Sequence, residues 1–374
     1  MKINVNLQSL NNWGTGICLF GNKLIDQLYK NPNYKLFGCF NFVRNINAND
    51  LQRFPFPIKY SIIPFTLVYS RIISKPLPVL YHNIMGNKAE INLFFTYKIP
   101  RVRYKGITIC TIHDLIPLRV PQEHKQIEID YRNDITYAIE HSDHLITVSE
   151  ASKKDILLEF NLPEEKITVI TNGVDFNFFN KVIDETTLLS IKKKYKLPNK
   201  FILYFGNIRK HKNVRSLIKA YSLLSIDIRE DVSLVINQRN DDLFQLVKEL
   251  NIEKQVCFTT FIEDKDLPSI YKLSLVLVYI SLYEGFGLPI IEAMASGTPV
   301  ITSNISSMPE IAGNAAVLVN PLQLDEISAS IEKIIQDYDF RNQLIKLGIE
   351  NAKKYSWDSS GKKLSDLLTM LSKL

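Results

Sequence analysis

Two glutamates with seven residues between them, Glu284 and Glu292, enclose the run Gly285-Phe286-Gly287-Leu288-Pro289, and Gly297 follows shortly after. Glycines in a turn let an anion approach the backbone, and a helix starting there offers unpaired N–H groups and partial positive charge. Pro289 is tolerated at a helix start, where its missing N–H would have had no partner, and Gly297 sits where a helix can stop. Glu292 falls about one turn inside that helix, so its carboxylate leans back toward the N-terminus. Glu284 enters from the strand side. Carboxylates would repel phosphates if aimed at them, but they suit the vicinal hydroxyls of sugar rings. Backbone for phosphate and acids for hydroxyls together describe a sugar nucleotide as ligand. The plain alternative is an ordinary strand-loop-helix unit with both acids solvated.

Three further groups of residues could take part. A short strand, Phe201 to Phe205, runs into Gly206 and a basic loop carrying Arg209, His211 and Lys212. Positive charge there would neutralise the charge growing on a leaving diphosphate; otherwise these are surface bases. In GITICTIHDLIPL a β-branched strand ends at His113 and Asp114, and polar residues at a strand's carboxyl end in an open α/β sheet face the ligand crevice. A lone histidine is more often structural. Gly14 and Gly16 follow the first strand, Lys2 to Leu7, where phosphates gather in doubly wound sheets, or where a tight turn simply needs small residues. His141 and His144 flank Asp143 at a helix end and strand start without a third convincing ligand, and are not read as a metal site.

The stretch from Glu284 resembles the signature of the family four retaining glycosyltransferases, a Glu, seven residues and a second Glu, with Gly-Phe-Gly-Leu-Pro between. Lys212 matches that family's phosphate-clamping lysine. Where many members carry an arginine just before it, this chain has His211, with Arg209 two positions earlier, so which of the two reaches the diphosphate is open. The stretch around His113 resembles the family's first-domain strand and active-site histidine. The resemblance covers nearly the whole chain and is strongest from Phe201 to Pro321.

What the resemblance implies is an α/β protein of the GT-B type, two doubly wound Rossmann-like domains facing each other across a cleft. Residues 1–180 would form the acceptor-side domain and 181–355 the nucleotide-sugar domain, with a last helix, about 356–374, packing back on the first. The implied reaction is transfer of a hexosyl group, mannose type favoured, from a nucleoside diphosphate sugar to a hydroxyl with retention. Lys212, Arg209 and the Gly285 to Leu288 amides would stabilise the diphosphate, and Gly16 would approach it from the other domain. Glu292 would hold the ribose and Glu284 the donor sugar, which His113 would orient, with Gly206, Phe286 and Asp114 lining the site. No cofactor and no metal are expected, the sugar nucleotide being a substrate. A lipid-linked or oligosaccharide acceptor in O-antigen or capsule assembly is the expected context. The rivals are a sugar-nucleotide epimerase on the same fold and a non-catalytic sugar-nucleotide-binding subunit.

The rest of the chain must position these residues. At 374 residues it is too long for one comfortable core, and 46% hydrophobic with 22% charged residues is the balance of a soluble globular protein. Four scattered cysteines form no framework, and neither a secretory signal nor a bilayer-spanning stretch is legible. The expectation is therefore a cytoplasmic protein. Net charge is +6, yet between Asp50 and Asp114 nine bases stand against the single acid Glu90. That region, 51–113, is read either as a face resting on anionic membrane, at the inner surface of the cell membrane, or as strands with solvated basic edges. Nucleic acid is the poorer fit, since no binding module is present. Helices are expected over 22–29 and 127–139, and after a cap at Ser149 or Ser152.

Overall fold

The computed structural model describes residues 1–11, 15–41, 54–61, 77–80 and 89–373. Gly14, and with it Arg53, Arg71, Lys75 and Lys88 of the basic region, lie outside the described residues. The chain divides into two compact units, Met1–Gly173 with Trp357–Leu374, and Val174–Ser356. The passage between them comes at Gly173 and Val174, earlier than the expected 180/181. The reason is local: the Val174 N–H donates to the Tyr355 carbonyl at 2.9 Å, and the Phe179 ring meets Tyr271 at 6.1 Å. Residues from Val174 onward thus already pack with the second unit.

The first unit is built on a seven-stranded parallel sheet in the order β3-β2-β1-β5-β7-β8-β9. Its strands are β1 (Lys2–Asn6), β2 (Lys35–Asn41), β3 (Ile58–Ser61), β5 (Ile91–Phe94), β7 (Ile107–Thr111), β8 (His144–Thr147) and β9 (Ile167–Val169). A two-stranded piece pairs β4 (Leu77–Leu80) with β6 (Val102–Arg103). Strands covered on both faces have little use for alternation, and β5 and β8 are buried at every position.

The first helix, Gly16–Tyr29, begins six residues before the expected 22 and contains Gly21. Thr15 caps it by accepting the Cys18 N–H, and its buried face carries Cys18, Phe20, Leu24, Ile25 and Leu28. Gly21 is needed for proximity: a Cβ there would lie 2.3 Å from Leu10 Cδ2. The last helix, Trp357–Leu371, packs on this one, with Gln27 donating to Asp358 at 2.8 Å and Ser360 to the Thr171 carbonyl at 2.7 Å. The helix over Lys125–Glu140 matches the expected 127–139 to within two residues, and Ser149 is the residue that caps the helix Glu150–Phe160.

Among the described bases of the 51–113 region, Arg101 is not on a surface. It is buried, packed over the Tyr137 ring at 4.1 Å and paired with Asp134 at 3.5 Å. Lys98, Arg103 and Lys105 are exposed or partly so.

The second unit carries a six-stranded parallel sheet ordered β12-β11-β10-β13-β14-β15. Its strands are β10 (Phe201–Tyr204), β11 (Ser233–Ile236), β12 (Val256–Phe258), β13 (Val276–Tyr279), β14 (Val300–Ser303) and β15 (Val317–Val319). Strand order reverses between β10 and β13, and ligands of such sheets bind outside the carboxyl ends at that switch point. The two loops leaving this point are the basic loop after β10 and the glycine-rich loop after β13.

Candidate active site

The basic loop is tied down before it reaches Lys212. Gly206, at φ +152°, donates its N–H to Asn237 Oδ1 at 2.9 Å, fastening the loop to the end of β11. A short 3-10 turn, Lys210–Lys212, ends at Asn213 in the left-handed region, whose side chain donates to the Ile280 and Pro321 carbonyls at 3.2 and 2.8 Å. The Leu282 N–H closes onto the His211 carbonyl at 2.7 Å. Both loops of the switch point are therefore one hydrogen-bonded assembly.

Within it, Lys212 Nζ donates to Glu284 Oε1 at 2.6 Å and to the Tyr279 hydroxyl at 2.8 Å, and that hydroxyl donates to Glu284 Oε1 at 2.8 Å. Lys212 and Glu284 are both buried. Burial, with the Glu284 charge beside it, pushes the Tyr279 phenol well above its usual range. The resemblance implies Lys212 at the diphosphate and Glu284 at the sugar; here each is the other's partner. Arg209 is exposed, whereas His211 is buried and its imidazole is pushed down to about 4, first by burial and then by the Lys212 charge. His211 is therefore neutral near pH 7 and brings no positive charge to an anion.

The helix Leu288–Ala295 follows the loop. Gly287, at φ +99°, precedes it, Pro289 sits in its first turn, and no side chain caps it. Gly297, at φ +76°, ends it with its N–H on the Met294 carbonyl at 3.1 Å, followed by Thr298 on Ala293 at 2.9 Å. Phe286 is buried, edge-on to Tyr355 at 5.6 Å. Glu292 accepts from the Tyr271 hydroxyl at 3.0 Å, and burial raises its carboxyl to about 7, although part of its surface stays accessible. Gly287→Ala is expected to destabilise by about 1–2 kcal/mol, the cost of a left-handed L-residue, and more because its Cβ would stand 3.0 Å from Ile290 Cδ1. Urea unfolding measures it.

In the first unit, His113 lies two residues past β7. Its Nε2 is 3.1 Å from the Phe95 carbonyl, which can only accept, so the proton is on Nε2 and Nδ1 keeps its lone pair. Burial pushes this imidazole down to about 4, and Phe20 meets its ring edge-on at 5.1 Å. Asp114 is occupied with structure: Oδ1 accepts the Ile116 N–H at 2.9 Å, starting the helix Ile116–Arg119, and its carbonyl accepts from Tyr131 at 2.5 Å. Gly16 is the first residue of its helix rather than part of a turn. His141 stacks on Tyr137 at 4.0 Å and His144 Nε2 is 2.8 Å from Thr168 Oγ1.

Residues 188–351 match the family model for glycosyl transferases group 1, and residues 90–178 that for glycosyltransferase family 4. The chain is 31% identical over 274 residues to an O-antigen chain mannosyltransferase B of Escherichia coli, covering 72% of this chain and 70% of that protein. The chain belongs to the group 1 glycosyltransferases. It is also 28% identical to the O-antigen chain mannosyltransferase RfbU of Salmonella typhimurium over 94% of this chain and 97% of that one. Of the serotype-specific mannosyltransferases WbdA of Escherichia coli it spans only 32–35% of the length. Among solved structures, Anabaena HepE in complex with UDP-glucose superposes with a TM-score of 0.76 at 18% identity, covering 99% of this chain and 100% of that one. The fold is GT-B, and the protein is a hexosyltransferase.

Some residues of the candidate site are not singled out by the sequence. Tyr271 and Tyr279 read as core aromatics, yet their hydroxyls hold Glu292 and Glu284. Ser306 and Ser307, which bond the Glu284 and Phe286 backbone, sit in a loop whose sequence reads as a polar loop near the crevice without marking either serine. A raised carboxyl has a consequence in solution. The folded Glu292 binds its proton up to about pH 7 while an unfolded glutamate releases it near 4.5, so its contribution to stability is present at low pH and lost as pH rises through 7. Because Glu292 alone pulls stability down as pH climbs from about 4.5 to 7, Glu292→Gln is expected to make melting temperature rise more steeply with pH than in wild type across that window, read by calorimetry. An unchanged slope would assign the pH dependence to other groups.

Proposed function

We propose that this glycosyltransferase moves a mannosyl group from a nucleoside diphosphate sugar to a hydroxyl of a lipid-linked glycan, with retention, in O-antigen-type polysaccharide assembly. The observation that carries the reading is the buried Lys212–Glu284–Tyr279 cluster at the sheet's switch point, next to a helix start that lacks a side-chain cap. Its relatives' names supply mannose and O-antigen.

The diphosphate takes the first-turn amides after Gly287 and the Lys212 ammonium, with exposed Arg209 as the second cation. Glu292 accepts from the ribose hydroxyls and Glu284 from the sugar. His113, neutral and with Nδ1 as acceptor, orients the transferred sugar and donates no proton to it. Glu284 Oε1 already faces an ammonium and a phenol, which makes it a poor nucleophile and favours front-face attack. In that step the anomeric carbon's bond to the phosphate oxygen breaks, the acceptor oxygen bonds on the same face, and the acceptor proton passes to the departing phosphate oxygen.

Among the described residues no helix is long and apolar enough to cross a membrane. Contact with anionic lipid through the exposed Lys98, Arg103 and Lys105 belongs to this reading as the way the enzyme meets a lipid-linked acceptor. The test is a melting-temperature screen against GDP-mannose, UDP-glucose and other nucleoside diphosphate sugars, followed by transfer assays with the best donor. A stabilising mannosyl donor that is consumed only when a glycan acceptor is present supports the reading. Conversion of donor without acceptor would make the enzyme an epimerase; binding without turnover would make it a non-catalytic subunit.

A further inference from the structure

We propose that Ser306 is a positioning residue for the donor site, held in a conformation that L-residues avoid because its hydroxyl grips the Glu284 backbone at both N–H and C=O. Ser306 follows β14 and stands at φ +59°, the left-handed region. Its Oγ accepts the Glu284 N–H at 3.1 Å and donates to the Glu284 carbonyl at 2.8 Å. The next residue, Ser307, is fully buried, and its Oγ lies 3.0 Å from the same carbonyl and 3.1 Å from that of Phe286.

Glycine is the residue that enters the left-handed region without steric cost, so the turn itself gives no reason for a side chain here. The hydroxyl supplies one. Glu284 is thereby fixed at both ends, its backbone by Ser306 and Ser307 and its carboxylate by Lys212 and Tyr279. The peptide between these anchors and Gly287 sets where the first-turn N–H groups of the helix Leu288–Ala295 point. Ser306 acts through that backbone; none of its hydrogen bonds goes to Lys212, Tyr279 or Glu292. A buried backbone group that loses its partner carries a desolvation cost, and a carboxylate that shifts by a fraction of an ångström no longer meets its ligand in the right geometry.

This inference rests on the reading of Glu284 and its loop as the donor site. The test is Ser306→Gly, which removes the hydroxymethyl side chain and suits the backbone angle, with Ser306→Ala, which removes only the hydroxyl and keeps the unfavourable angle. Initial rates against donor and acceptor, melting temperatures, and nucleoside diphosphate affinity are measured beside wild type and Lys212→Ala. Ser306→Gly is expected to melt within about 4 °C of wild type. Its kcat/KM for the donor is expected to fall about tenfold, with weaker nucleoside diphosphate binding and an unchanged acceptor KM. Ser306→Ala is expected to lose as much activity and to melt lower. Full activity in Ser306→Gly, or a loss shared equally by donor and acceptor parameters, overturns the proposal. If Lys212→Ala is inactive while Ser306→Gly is fully active, this inference alone fails; if Lys212→Ala is also fully active, the donor-site reading fails with it.

Discussion

Lys212→Ala is expected to lower kcat by about 10²–10³, the usual effect of removing one preorganised donor to developing charge, and to destabilise the second unit as well. The two effects have different origins. Lys212 Nζ lies 2.6 Å from Glu284 Oε1, with both side chains about nine-tenths buried. Removing one partner of a buried pair leaves the other charge uncompensated, at about 3–5 kcal/mol. The loss of stability therefore reports on Glu284, and the loss of rate on the absent ammonium. A double variant, Lys212→Met with Glu284→Gln, separates them: it should recover most of the lost stability, because no buried charge remains, while staying inactive. Equilibrium unfolding in urea and single-turnover assays read the two quantities. A Lys212→Ala protein as stable as wild type would show that the pair is solvated in solution.

That pairing also marks where sequence reading ends. Gly287, Pro289 and Gly297 announce their helix because each carries a backbone constraint readable without its neighbours. The strands after which the loops follow are legible for a similar reason: β-branched runs such as VLVY in β13 have the length and composition of a buried strand. Lys212 and Glu284 are 72 positions apart, and only the adjacency of β10 and β13 brings their loops together. Tyr279 is read as core because half of it is core; its ring lies nearly parallel to Tyr204, and only the hydroxyl belongs to the site. The late start given to the first helix has another cause. Gly16 and Gly21 look like turn residues, but Gly21 answers a tertiary contact with Leu10 and Phe95 that local propensity cannot register. Arg101 shows the same limit for charge, since counting bases along 51–113 places it on a surface that its stacking on Tyr137 removes it from.

His113→Ala is expected to lower turnover by about 10²-fold or more while leaving the fold intact. Its imidazole is fixed by the Nε2–H bond to Phe95 and the edge contact with Phe20, which leaves Nδ1 as a directed acceptor. Orientation of a substrate hydroxyl by one fixed group is worth this much when its loss lets the reacting centre move by about an ångström. Because burial holds the ring near 4, no limb of the wild-type pH–rate profile between pH 5.5 and 8 should belong to His113, and the variant should keep the same profile shape at a lower level. Stability behaves differently. The unfolded histidine takes up a proton near 6.5 and the folded one only near 4, so wild-type stability rises with pH across that window, and removing His113 should reduce the rise without abolishing it, since His144 and His211 are held down in the same way. His113→Asn keeps an acceptor near the Nδ1 position and gives up the Phe95 tether. It should fall between wild type and alanine in kcat. Were asparagine no better than alanine and the pH–rate profile altered by both, His113 would be acting as a titrating group, and its role as a neutral orienting acceptor would be wrong.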